Sequence, residues 1–225
     1  MTLQHVDILF QLIAFLFAIS VHESAHAWTA NLRGDSTARM LGRVTLNPIK
    51  HIDPFGTILL PLVAMLTHFP VIGWAKPTPV DTRNFKNPVL DDVLTAVAGP
   101  ISNFIVATIA TILLAVVAVA APDGRQIVQG ALSGVLVSNS FLMPASLLLY
   151  AVLEINVLLA VFNLIPVPPL DGSHVLRHFL PENVRRVYDT VGMFGLMALV
   201  FFGGNFLMAL IRPVLLFYIS ILMSV

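Results

Sequence analysis

Three side chains that could do chemistry together, His22, Glu23 and His26 in the stretch SVHESAHAW, close an apolar run long enough to cross a bilayer. Titratable groups in such a run are costly to bury and persist there for a function. On a helix His22 and His26 are four residues apart, so their imidazoles share one face at a spacing that can chelate one metal ion. Glu23 lies about 100° round the helix from His22, where it can act on a water without being a ligand. That is the general-base position of H-E-x-x-H hydrolases. Polar glue between two helices would need one pair, not three groups at chelating spacing.

A catalytic zinc takes three protein ligands and keeps a position open for water. The chain has no cysteine, so the third ligand must be a carboxylate or a further histidine. Asp171 in PPLDG is the best placed. It follows the helix break at Pro166, Pro168 and Pro169 and precedes Gly172, which can give the backbone a tight turn. His51 in KHIDP is an alternative, as are His174 and His178, a second pair at i and i+4. That second pair better suits a short interfacial helix over DGSHVLRHFL, with His174 one turn from Asp171 and supporting it. Glu154 and Asn156, alone in an apolar stretch, suit hydrogen bonding between helices.

The elements that must position these groups are membrane elements. The chain is 57% hydrophobic and 11% charged, whereas a soluble domain is nearer half apolar and a quarter charged. The expectation is an all-α polytopic membrane protein forming one domain over 1–225. It has about six membrane-embedded segments, at 6–31, 54–69, 92–121, 139–165, 187–203 and 205–223, judged against the ~20 residues that span a bilayer. Pro- and Gly-rich flanks around the short second segment predict a small extended or β re-entrant region over 44–80. The fourth segment ends in a broken stretch, 163–172. Irregular backbone at membrane depth must be buried in protein or line a wet cavity. The first ten residues carry no Lys or Arg, and no small-residue cleavage site follows the first run, so this run reads as a retained span rather than a signal peptide. Zero formal net charge gives no sign of nucleic-acid binding.

If Asp171 and His22 meet at one ion, segments 1 and 4 run parallel, and segment 2 must dip in and return to the same side. The loops at 32–53, 70–91 and 171–186 then share a face. They hold every Lys and Arg except Arg125 and Arg212, which puts that face, with the site nearer it, on the cytoplasmic side of the cell membrane.

HESAH at the end of a span, AGPISN (98–103) opening a later one and NLIPVPPLDG (163–172) closing another resemble the site-2 protease family of intramembrane zinc metalloproteases. GRVTLNPIKHIDPFGTILLP and GWAKPTPV resemble its bacterial branch without a PDZ domain. The resemblance covers the whole chain in order. It implies one Zn2+ per chain on His22, His26 and Asp171, with Glu23 activating the water. It further implies that Asn163 helps hold the substrate backbone or the oxyanion, and that Asn103 belongs to a substrate-facing core. The partners implied are the lipid bilayer and a transmembrane protein substrate, cut at a locally unwound peptide bond. Strand addition against GWAKPTPV, through Trp74 and Lys76, would hold that substrate open.

Two other readings are weaker on the residues. A di-iron membrane hydroxylase needs roughly eight or more histidine ligands, and the chain has seven histidines. A transporter would share the broken helices and buried ionisable groups, but it predicts internal repeats, which are absent, and gives Glu23 no task. A catalytically inactive binding relative would have no need of the complete motif.

Overall fold

The computed structural model describes residues 3–59, 75–137 and 140–225. Eight α-helices are present among them: α1 (Leu3–Arg33), α2 (Thr37–Met40), α3 (Pro88–Ala120), α4 (Gly124–Ser133), α5 (Leu142–Asn163), α6 (Asp171–Arg177), α7 (Glu182–Phe202) and α8 (Gly204–Ser224). The helix boundaries follow from local chemistry. α1 stops at Gly34, whose φ of +117° ends the helix. Pro88 opens α3 at a position where a missing N–H costs nothing. The carboxylate of Asp91 accepts the amide of Asn87 at 2.8 Å, while Asn87 accepts from the amide of Leu90. α4 ends on Gly134, also left-handed, and α5 ends where the prolines begin.

Among the described residues, four helices are long and apolar enough to cross a membrane: Val6–Arg33, α3, α5 and α8. The expected total of about six embedded segments is not confirmed among the described residues. The stretch at 187–203 lies in α7, whose first turns carry Glu182, Arg185, Arg186 and Asp189. What remains apolar, from Thr190 on, is about 20 Å of helix, too short to span. The expected β character of 44–80 is not seen: among the described residues there is no strand. Instead the chain forms a 3-10 turn at Pro48–Lys50, a wide helical turn at Pro54–Leu59 and an irregular extended stretch from residue 75. Segment 60–74, with Trp74 and most of the proposed second embedded segment, lies outside the described residues.

The chain divides into two compact units. The first comprises Met1–Ala18, Asn103–Val161 and Met208–Val225. Its core packs Leu114, Val128, Leu153, Val157 and Leu222 around small residues such as Ala107 and Ala110. Asn103 is fully buried there. Its side-chain amide donates to the carbonyl of Ala18 at 3.2 Å and to Asn156 Oδ1 at 2.8 Å. Asn103 and Asn156 thus hydrogen-bond one another within this unit. The second unit, Ile19–Ser102 and Phe162–Leu207, holds His22, Glu23, His26 and Asp171.

Candidate metal centre

Three side chains meet in the second unit. His22 Nε2 lies 3.1 Å and His26 Nε2 3.4 Å from Asp171 Oδ2. The two imidazoles sit edge to face with centroids 4.6 Å apart. These three residues form a group whose ligand atoms all lie within 4.8 Å of one another. Both histidines are buried.

Each member is aimed by a neighbouring element. His26 Nδ1 is 2.7 Å from the backbone carbonyl of Thr95 on α3. A carbonyl can only accept, so Nδ1 carries the proton and Nε2 keeps its lone pair for a metal. α3 comes this close because residue 99 is glycine. A Cβ there would lie 2.4 Å from His26 Nε2 and 2.6 Å from His22 Cε1. Asp171 opens α6, where helix geometry favours a carboxylate.

Gly172 has a different reason from the tight turn expected of it. It lies within a helix, and a Cβ would meet the carbonyl oxygen of Leu164 at 2.2 Å. Its role is close approach. The preceding loop, 164–170, is gripped from α7. Tyr188 donates its hydroxyl to the Pro166 carbonyl at 2.9 Å, and Gly192 lets Pro168 pack where a Cβ would be 2.4 Å away.

The rivals for third ligand point elsewhere. His174 and His178 both turn to Asp92, a buried carboxylate on α3. The distances are 3.2 Å from His174 Nδ1 to Oδ1 and 2.8 Å from His178 Nε2 to Oδ2. They sit at α6 and its C-cap, the short helix allowed for in the sequence reading. His51 is buried and donates Nε2–H to the Thr45 carbonyl at 2.8 Å. Asn163 is the last residue of α5, half-buried at the start of the loop to Asp171.

Residues 76–79 offer no amide to a substrate strand. The N–H of Lys76 bonds to the His51 carbonyl, that of Thr78 bonds to Glu23, and Pro77 and Pro79 have none. Strand addition through these amides would first have to break the bonds to His51 and Glu23. The Lys76 side chain itself is exposed. Sequence reasoning missed Thr78, Asp92, Thr95 and Gly99. Of these, only Gly99 carried a signal: it lies in the AGPISN stretch, a glycine inside an apolar run long enough to span.

The trio fits a divalent metal on its own geometry. Asp171 Oδ2 is a buried oxygen with no hydrogen-bond donor among the described residues, facing two imidazole nitrogens. Two imidazoles and a carboxylate are a donor set that zinc accepts.

Comparison with known proteins agrees with that donor set. The family model described as peptidase family M50 matches residues 10–210. "Putative zinc metalloprotease YwhC" of Bacillus subtilis (strain 168) is 40% identical over 173 residues, covering 77% of this chain and 70% of that protein. "Putative zinc metalloprotease Rip2" of Mycolicibacterium smegmatis is 25% identical over 206 residues, covering 88% of this chain and 68% of that protein. No solved structure gives a significant match.

Proposed function

The chain belongs to peptidase family M50, and from that premise we propose that it is a multi-pass membrane zinc endopeptidase of the site-2 type, hydrolysing peptide bonds within or beside transmembrane segments of its substrates. The observation that carries this reading is the convergence of His22 Nε2, His26 Nε2 and Asp171 Oδ2 beside Glu23. On this reading His22, His26 and Asp171 hold one Zn2+. When bound, zinc would acidify a water and polarise the scissile carbonyl.

The chain's own groups do the rest. The Thr95 carbonyl fixes the tautomer of His26 and so its orientation. Glu23 takes the proton of the attacking water and hands it to the leaving amine, which must be protonated to depart. Asn163, at the end of α5, supplies a carboxamide to the substrate backbone. The substrate helix has to unwind first, because a helical carbonyl is already hydrogen-bonded and its amide is shielded. The site belongs to the cytoplasmic side, supported by the clustering of Lys and Arg in the loops at 32–53, 70–91 and 171–186.

The test is metal content and turnover measured together on the full chain in detergent. The turnover probe is a co-reconstituted, tagged single-span reporter carrying a helix-breaking pair. Wild type is expected to hold one zinc and cut the reporter. His22→Ala and Asp171→Ala should lose zinc, and His174→Ala/His178→Ala should keep it. Glu23→Gln should keep zinc and lose at least ~10²-fold in rate. Wild-type turnover by Glu23→Gln would sink the hydrolytic reading.

A further inference from the structure

From residue 75 to 84 the chain has little regular structure, yet it is tied down on both sides of its midpoint. The amide of Lys76 donates to the His51 carbonyl at 2.9 Å. Arg43 Nη2 donates to the Pro77 carbonyl at 3.2 Å. Further on, the amide of Asp81 donates to Asp35 Oδ2 at 2.8 Å, and Asn84 Nδ2 donates to Asp35 Oδ1 at 2.9 Å. None of these four bonds involves Glu23, so the course of the strap does not depend on it.

Thr78 lies between the two sets of ties. Its amide N–H and its hydroxyl both reach Glu23 Oε2, at 2.9 and 2.7 Å, and the hydroxyl is also 3.1 Å from the Glu23 carbonyl. The amide is aimed at Oε2, and the single hydroxyl proton goes to Oε2 as the shorter of its two contacts. Among the described residues, Oε1 of the same carboxylate receives none. A general base needs that asymmetry: one oxygen held so that the carboxylate cannot swing, the other left to exchange protons. A carboxylate on two rotatable bonds beyond Cβ otherwise samples several rotamers, and orientation is worth orders of magnitude in rate. A purely structural tether would be redundant here, because the strap is already fastened at four other points.

We propose that Thr78 is the positioning residue for Glu23, fixing Oε2 through its amide and hydroxyl and leaving Oε1 to carry the proton. This rests on the hydrolytic reading of Glu23 given above.

Two experiments on the full chain test it. The first needs no zinc and no substrate: hydrogen–deuterium exchange at the Thr78 amide in the metal-free protein. Protection is expected in wild type and in Glu23→Gln, where a carboxamide oxygen can still accept, and is lost at least ~10-fold in Glu23→Ala. An amide that exchanges equally in wild type and Glu23→Ala overturns the proposal. The second compares turnover of the zinc-loaded protein. Thr78→Val keeps the amide and the branched shape but not the hydroxyl, and it should lower kcat ~10-fold with KM within about twofold and zinc content unchanged. Thr78→Ser restores the hydroxyl and should recover most of kcat. A wild-type kcat in Thr78→Val, or a serine variant as slow as the valine one, overturns the proposal while leaving the hydrolase reading intact. An active Glu23→Gln would overturn both, so the two failures are told apart.

Discussion

Replacing Gly99 with alanine is the sharpest perturbation of the metal centre available without touching a ligand. The added Cβ would lie 2.4 Å from His26 Nε2 and 2.6 Å from Cε1 of both His22 and His26. Ordinary contact begins near 3.4 Å, so going from 2.4 to 3.4 Å requires a retreat of about 1 Å by α3 or by the rings. If α3 moves, the Thr95 carbonyl moves with it, and its 2.7 Å bond to His26 is lost or stretched. If the rings move, the chelating set opens. Losing an outer partner of a ligating histidine typically costs 10–100-fold in metal affinity, and a displacement of 1 Å can cost ~10²-fold in rate. Global stability should change little. Alanine gains up to ~1 kcal/mol over glycine inside a helix, against ~1–3 kcal/mol for overpacking. The assay is a competition titration with a zinc chelator alongside thermal unfolding of the metal-free protein. Zinc affinity should fall at least tenfold, with an unfolding midpoint within a few degrees of wild type. Wild-type zinc affinity in Gly99→Ala would refute the claim that close approach of α3 builds the site.

Asp92→Ala should weaken zinc binding severalfold without abolishing it, since His174 and His178 lose the acceptor that holds α6, and Asp171 with it, against α3; zinc affinity equal to wild type would contradict this. Gly192→Ala pushes a methyl to 2.4 Å from Pro168 Cβ and should lower zinc affinity less than Gly99→Ala does, because it acts through the loop rather than on the rings; chelator competition on both variants gives the order. Asp35 governs an acid response. Burial opposes its ionisation, but bonds from Thr37, Asn84 and the Asp81 amide hold its carboxyl below the ordinary range. Its contribution is therefore complete above the unfolded carboxylate value, ~3.9, and is lost as pH falls through the lower folded one. Exchange protection of the Asp81 amide, which donates to Asp35 Oδ2, should drop in that acid window for wild type, and it should be weaker but insensitive to this titration for Asp35→Asn. Parallel acid profiles in the two proteins would count against the assignment.

The histidine pair and Asp171 were readable because a chelating arrangement leaves a spacing in the sequence and a helix break leaves prolines. The positioning groups were not. Thr95 acts through its carbonyl, which every residue has, and Thr78 through an amide and a hydroxyl far from the motif in sequence. Asp92 stands beside Asp91, and nothing in a DD pair tells that one caps its own helix while the other receives two histidines. The expected embedded segment at 187–203 is not confirmed, because α7 carries Asp189 inside that run and further charges just before it. Of the extended or β region expected over 44–80, the extended part is seen from residue 75 and no strand among the described residues; at 76–79, Pro77 and Pro79 cannot donate to a ladder and their neighbours' amides are already used.

The glycines show why position and role come apart in such a chain. Gly99, Gly172 and Gly192 each permit an approach that a single methyl would block: α3 onto the histidines, α6 onto the Leu164 carbonyl, and α7 onto Pro168. None of the three has a left-handed φ, so conformational freedom is not what selects them. Two of these contacts hold the loop and helix that carry Asp171, and the third sets the rings it faces. The metal centre is thus defined by how closely three helices can approach, and the ligands mark only where those approaches meet. If that is right, enlarging any of the three glycines should damage zinc binding more than enlarging Gly204, where an added Cβ meets nothing within 4 Å.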